Sequence, residues 1–203
     1  MYIIKTPIII QALFRGIMWR RNKSKKVYLT FDDGPIPEAT PWVLEFLKKE
    51  DIKATFFCVG ENVKKHSNIY QQIIADGHQV GNHTYNHLNG WKTNKKDYLE
   101  NIDKAANFID SKLFRPPYGR VSPTTLLALK KRYKIVMWDV LSGDFDSEIS
   151  AQECIANVTN NTESGSIIVF HDSIKSIKKL KVVLPVVVQY FKDNNIEMDR
   201  LDL

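Results

Sequence analysis

From residue 27 onward the sequence alternates short β-branched and aromatic runs with longer stretches whose apolar residues recur three and four apart. No other feature restricts the fold as strongly. The strand-like runs are VYLTF (27–31), KATFFCVG (53–60), HQVGNH (78–83), LFRPPYG (113–119), KIVMWDV (134–140), SIIVFH (166–171) and IEMDRLD (196–202). Between them lie amphipathic segments such as PWVLEFLKKE, NIYQQIIADG, YLENIDKAANFIDSK, TTLLALKKR and KVVLPVVVQYFKDN. Strand and helix in regular succession predict a parallel sheet with right-handed crossovers. An open doubly wound sheet and a closed or nearly closed barrel both satisfy that pattern. A chain of 203 residues supports one good core, so residues 27–203 are read as a single domain.

Residues 1–26 differ in character. They carry Lys5, Arg15, Arg20, Arg21, Lys23, Lys25 and Lys26 and no acid, which leaves 22 cations against 23 acids in the remainder. The net charge of +6 therefore belongs to an N-terminal arm, and the globular part has no net attraction for nucleic acid. The apolar stretch of the arm is interrupted by Gln11 and Arg15, is too short to span a bilayer and lacks a small-residue cleavage site. A cytoplasmic or membrane-peripheral location is expected. The arm fits either a helix capping the domain or a peripheral contact with an anionic membrane. Cys58 and Cys154 are read as buried thiols, with one disulfide as the alternative.

The unusual polar residues all fall after strand-like runs. DDG follows the first, NHTYNH the third, RPPYG the fourth, WDVLSGD the fifth and FHDS the sixth. Active sites of parallel α/β folds are built at these strand C-terminal ends. His83 and His87, spaced HTYNH, present two imidazoles on one helical turn. With one carboxylate of Asp32–Asp33 they make a set of three ligands with positions left for water. The second carboxylate then takes a proton from that water. His171 fits a general acid toward a leaving amine, and Asp144 a partner that fixes its tautomer. Arg115 fits a partner that orients Asp32 and keeps it ionised. Pro116 and Pro117 stiffen the loop before Tyr118, whose backbone N–H suits an oxyanion.

Taken together, TFDDG, HTYNH, RPPYG, WDVLSGDF and VFHDS resemble, in this order, the motifs of the polysaccharide deacetylase family, the NodB-homology domain of carbohydrate esterase family 4. The resemblance covers about residues 27–203. It implies a distorted (β/α) barrel of about seven parallel strands, one divalent ion, usually zinc with cobalt or nickel as alternatives, and hydrolytic removal of acetyl groups from N-acetylated sugars such as peptidoglycan or chitin-type glycans. It also implies Asp32 as base, Asp33, His83 and His87 as metal ligands, Arg115 as partner of the base, Tyr118 as oxyanion donor, Asp144 as the residue orienting the acid and His171 as that acid. Phe145 stands where the family often has tryptophan and Val169 where it often has leucine. Both positions, with Trp138, are assigned to the acetyl pocket. A glycan-acting monomer is expected. The competing readings are hydrolysis of another small amide or cyclic imide, and a catalytically silent carbohydrate-binding module.

Overall fold

The computed structural model describes residues 2–202. Its strands are β1 (Val27–Asp32), β2 (Thr55–Cys58), β3 (Gln79–Asn82), β4 (Leu113–Phe114), β5 (Lys134–Ile135), β6 (Val140–Leu141), β7 (Ile167–His171) and β8 (Met198–Asp199). Its helices are α1 (Ile8–Leu13), α2 (Thr40–Lys49), α3 (Gly60–Lys65), α4 (Ser67–Ala75), α5 (Lys95–Ala106), α6 (Pro123–Leu129), α7 (Ala151–Thr159) and α8 (Ile177–Asp193). All strand pairs are parallel, in the order β5-β4-β3-β2-β1-β7-β6. β8 pairs with Val27 and Tyr28 below the point where β2 joins β1 at Thr30. The sheet curls into the incomplete barrel that the strand-helix alternation allows.

The barrel has two walls of side chains because strand residues alternate. In β1, Val27, Leu29 and Phe31 face outward into the layer shared with Leu44, Leu47, Leu184 and Val187 of α2 and α8. Tyr28 faces inward with Phe57, Leu113, Val136 and Ile167. The same alternation puts Thr30 and Asp32 on the inner side. In β7 it puts Val169 and His171 there, since Ile168 and Phe170 belong to the outer layer.

The run 134–140, expected as one strand, is two. Val136 N–H donates to Phe114 on one edge of the barrel, and Asp139 N–H donates to Ile167 on the other. This segment crosses the seam and cannot keep one ladder. The N-terminal arm fills the gap: Met18 bridges to Val136 in parallel and Lys5 to Val140 in antiparallel fashion. Met18 is buried among the inward side chains. Lys5 and Gln11 both donate to the buried Asp139 carboxylate, at 2.8 and 3.0 Å. Cys58 and Cys154 are free and buried, and no described helix is long and apolar enough to cross a membrane.

Candidate active site

At the end of β1 the two aspartates part company. Asp32 is still in the strand and points inward, where Arg115 Nη1 donates to its Oδ1 at 2.6 Å. Arg115 is fully buried, with its guanidinium 4.0 Å above the Phe57 ring; it also donates to Thr30 Oγ1 at 2.8 Å and to the Met137 carbonyl at 3.0 Å. Burial pulls Arg115 below its ordinary value, and the Asp32 charge opposes that pull. The next residue, Asp33, takes a left-handed conformation (φ 86°), which turns its side chain out of the strand alternation.

Asp33 meets His83 and His87, and the ligand atoms of the three lie within 4.8 Å of one another. The segment 83–87 is an irregular loop rather than the helical turn expected from HTYNH. Thr84 and His87 are left-handed (φ 65° and 59°), and Thr84 N–H is held by the Asn82 side chain at 2.8 Å. Each imidazole is oriented through its outer nitrogen. His83 Nδ1 donates to the Arg115 carbonyl at 2.7 Å, which leaves Nε2 with a free lone pair toward Asp33. His87 Nδ1 lies 3.1 Å from the Tyr118 hydroxyl, and its Nε2 lies 3.2 Å from Asp33 Oδ1. Burial lowers His83 to about 4, so its imidazole is neutral. Asp33 Oδ1 is buried without a hydrogen-bond donor among the described residues. A buried carboxylate oxygen facing the Nε2 atoms of two imidazoles fits a divalent cation, and the N, N, O donor set suits zinc and its neighbours.

His171 ends β7 directly beside Asp32, its partner in the ladder. Its Nδ1–H donates to Asp144 Oδ1 at 2.8 Å, while its backbone N–H donates to Oδ2 of the same carboxylate at 2.7 Å. Burial alone would lower His171, but the charge and hydrogen bond of Asp144, followed by Asp33 and Asp32, raise it to about 9. Tyr118 is left-handed (φ 60°), and its backbone N–H has no acceptor among the described residues. The Phe145 ring stands edge-on to His171 at 5.0 Å. Val169 is buried two residues below His171 on the same side, and half-buried Trp138 packs against Gly119. All eleven residues singled out from the sequence thus come to the C-terminal end of the sheet or line the barrel just below it.

Several supporting residues were not legible. The Tyr118 hydroxyl orients His87, a role beyond its backbone N–H. Asn62 donates to the Asp33 carbonyl at 2.8 Å. Asp172, buried beside His171, accepts from Gly34 N–H at 3.1 Å and from Thr40 at 2.6 Å, holding the turn that carries Asp33. Ser142 donates to Asp144 at 3.0 Å. The Tyr2 ring packs against Phe145 in a tilted arrangement, with centroids 5.1 Å apart, and its hydroxyl donates to Asp146 at 2.8 Å, so the arm reaches the rim of the site. The adjacency in FHDS was the one sequence signal for Asp172.

The chain is similar over most of its length to proteins of known kind. The polysaccharide deacetylase family model matches residues 20–136. A peptidoglycan-N-acetylglucosamine deacetylase of Bacillus cereus is 40% identical over 159 residues, 75% of this chain and 57% of that protein. A chitooligosaccharide deacetylase of Azorhizobium caulinodans is 34% identical over 160 residues, 75% of each. The chain thus spans little more than half the length of the first of these relatives. The crystal structure of the Bc1960 peptidoglycan N-acetylglucosamine deacetylase superposes with a TM-score of 0.88, at 32% identity, over 97% of this chain and 95% of that one. With a family model covering more than half of its residues, and with relatives of this identity, the chain belongs to the polysaccharide deacetylase family.

Proposed function

We propose that the protein is a metal-dependent hydrolase that removes the acetyl group from an N-acetylated glycan of the peptidoglycan or chitin type. One observation carries the reading: Asp32 and Asp33, adjacent in sequence, face different partners, Asp32 the buried Arg115 and Asp33 two imidazoles. Such a division fits a proton acceptor beside a cation ligand.

Asp33, His83 and His87 would hold the ion, which when bound lowers the pKa of water and polarises the amide carbonyl. Arg115 orients the Asp32 carboxylate, which accepts the proton lost by water as its oxygen bonds to the carbonyl carbon. The free Tyr118 N–H donates to the oxyanion that develops there. His171 is protonated at neutral pH, and with Nδ1–H held by Asp144 its Nε2–H donates to the amide nitrogen. The C–N bond then breaks to give acetate and a free amine. Phe145, Val169 and Trp138 supply an apolar wall for the acetyl methyl group.

The test is acetate release from a panel of N-acetylated glycans, peptidoglycan and chitooligosaccharides included, with zinc, cobalt or nickel supplied. Release from at least one glycan is expected, and abolition by Asp32→Asn. His171→Ala should be hurt less on an activated acetate ester, whose leaving group needs no proton. Glycan binding with no acetate release under any metal would favour a silent binding module.

A further inference from the structure

The short helix α1 is mounted the wrong way round for a helix that serves only to cap the barrel. Amphipathic helices normally turn their apolar stripe toward the core. Here none of the α1 residues is buried, and Ile8, Ile9 and Leu13 are 75%, 74% and 74% exposed, with Phe14 just beyond at 46%. It is the polar Gln11 that faces the barrel, donating to Asp139 at 3.0 Å. Polar contacts and the buried Met18 fix the arm, and Ile8, Ile9, Leu13 and Phe14 are left to solvent. A contiguous exposed apolar patch of this kind marks a contact surface.

Its surroundings are cationic. Residues 1–26 contain no acid. Lys5, Arg20 and Lys26 are engaged with Asp139, Glu163 and Asp199, but Arg15, Lys23 and Lys25 are exposed and form no ion pair among the described residues. Lys130 caps the Arg15 carbonyl at 2.7 Å, which brings the end of α6, with exposed Leu127 and Lys131, alongside the patch. The end of the arm, at Arg20 and Arg21, pairs with residues 165–166 at the start of β7, the end of the sheet opposite Asp33, His83 and His87.

We infer that α1 and the end of α6 dock on an anionic lipid surface. Ile8, Ile9, Leu13 and Phe14 enter the headgroup boundary, and Arg15, Lys130 and Lys131 meet the phosphates. The charge favours this occupant over a second copy of the chain, because a two-fold contact through the patch would set its cations against themselves. Docking there leaves the C-terminal ends of the strands open to a glycan.

The experiment is co-sedimentation of the full chain with vesicles of phosphatidylcholine alone or mixed with phosphatidylglycerol, at low and high salt. Binding to the mixed vesicles only, weakened by salt, is expected. Ile9→Ser/Leu13→Ser should reduce the bound fraction by about tenfold or more. Both positions are exposed, so its melting curve should match wild type. Arg15→Glu/Lys131→Glu, which leaves the apolar side chains in place, should also reduce binding. Wild-type protein that stays in solution with the mixed vesicles, or unchanged binding by both double variants, overturns the inference. So does a dimer by light scattering that the Ile9→Ser/Leu13→Ser change dissociates, since the patch then belongs to a second copy.

Discussion

Arg115 is the bulkiest of the fully buried side chains, and it is charged; its removal tests how the site is held together. Arg115→Met keeps most of the volume. It deletes the donors to Asp32 Oδ1 at 2.6 Å, Thr30 Oγ1 at 2.8 Å and the Met137 carbonyl at 3.0 Å. Asp32 is only 4% exposed, so water does not replace the lost partner. Breaking a buried ion pair from one side typically costs about 3–5 kcal/mol. A domain with total stability of about 5–15 kcal/mol feels that as a large fraction. Asp32→Asn is milder, because the amide oxygen still accepts from Arg115. In the double variant no carboxylate is left without its cation. It should therefore be more stable than Arg115→Met alone, with a coupling of about 2 kcal/mol. Urea unfolding of the four proteins, all with metal chelated to remove ligand linkage, measures this through midpoints at constant slope. An Arg115→Met midpoint equal to wild type, or single-variant losses that add within about 0.5 kcal/mol in the double variant, would refute the reasoning.

Three further outcomes are expected. Asp33→Asn loses both ion and turnover, whereas Asp32→Asn keeps the ion by elemental analysis and loses about 10²–10⁴-fold in acetate release; full metal content in Asp33→Asn removes it from the ligand set. Tyr118→Phe deletes the partner of His87 Nδ1 and should weaken metal affinity by about 10–100-fold in a chelator competition, with unchanged affinity counting against the hydroxyl. A general acid must be protonated to act, so if His171 is that acid, activity should be lost as pH rises through its pKa. Asp144 contributes most to raising that value to about 9, so Asp144→Asn should move the alkaline limb of kcat to lower pH, and a limb that stays or rises is the contrary result.

What could be read from the sequence depended on the range of the interaction. Period-two alternation in VYLTFD and IIVFH suffices to put Asp32 on the face of Thr30, and His171 on that of Val169. That these two faces meet, with Asp32 and His171 as ladder neighbours, depends on β1 pairing with a strand far along the chain, which no local pattern encodes. KIVMWDV has the composition of one strand, but its two ends pair on opposite edges of the barrel. The i,i+4 spacing of His83 and His87 singled out two imidazoles that do meet beside Asp33, but for a reason the loop does not use, since a helical turn is absent. Amphipathic reading of the arm admitted both a cap and a surface contact. Its orientation is decided by Asp139, which draws Lys5 and Gln11 inward.

Seven described residues other than glycine have positive φ, and four of them, Asp33, Thr84, His87 and Tyr118, belong to the site. Each such position costs of order 1–3 kcal/mol and persists only where surrounding contacts over-determine it. Those contacts are present. Asn62 and Asp172 hold the turn around Asp33, and Asn82 holds Thr84. The Tyr118 hydroxyl and the His87 ring brace each other across two of the strained loops. The strain has a specific geometric effect. In regular strand geometry Asp33 would point to the outer layer among Phe31, Phe56 and Phe170, where an ion could not be reached by His83. The left-handed turn rotates it back over the barrel mouth, and Gly34 completes the turn where a side chain is impossible, because a Cβ would sit 2.0 Å from Asp172 Oδ2. Adjacent carboxylates can therefore share one strand end without sharing one environment, which a pair in ordinary alternation could achieve only by sending one of them into the apolar layer.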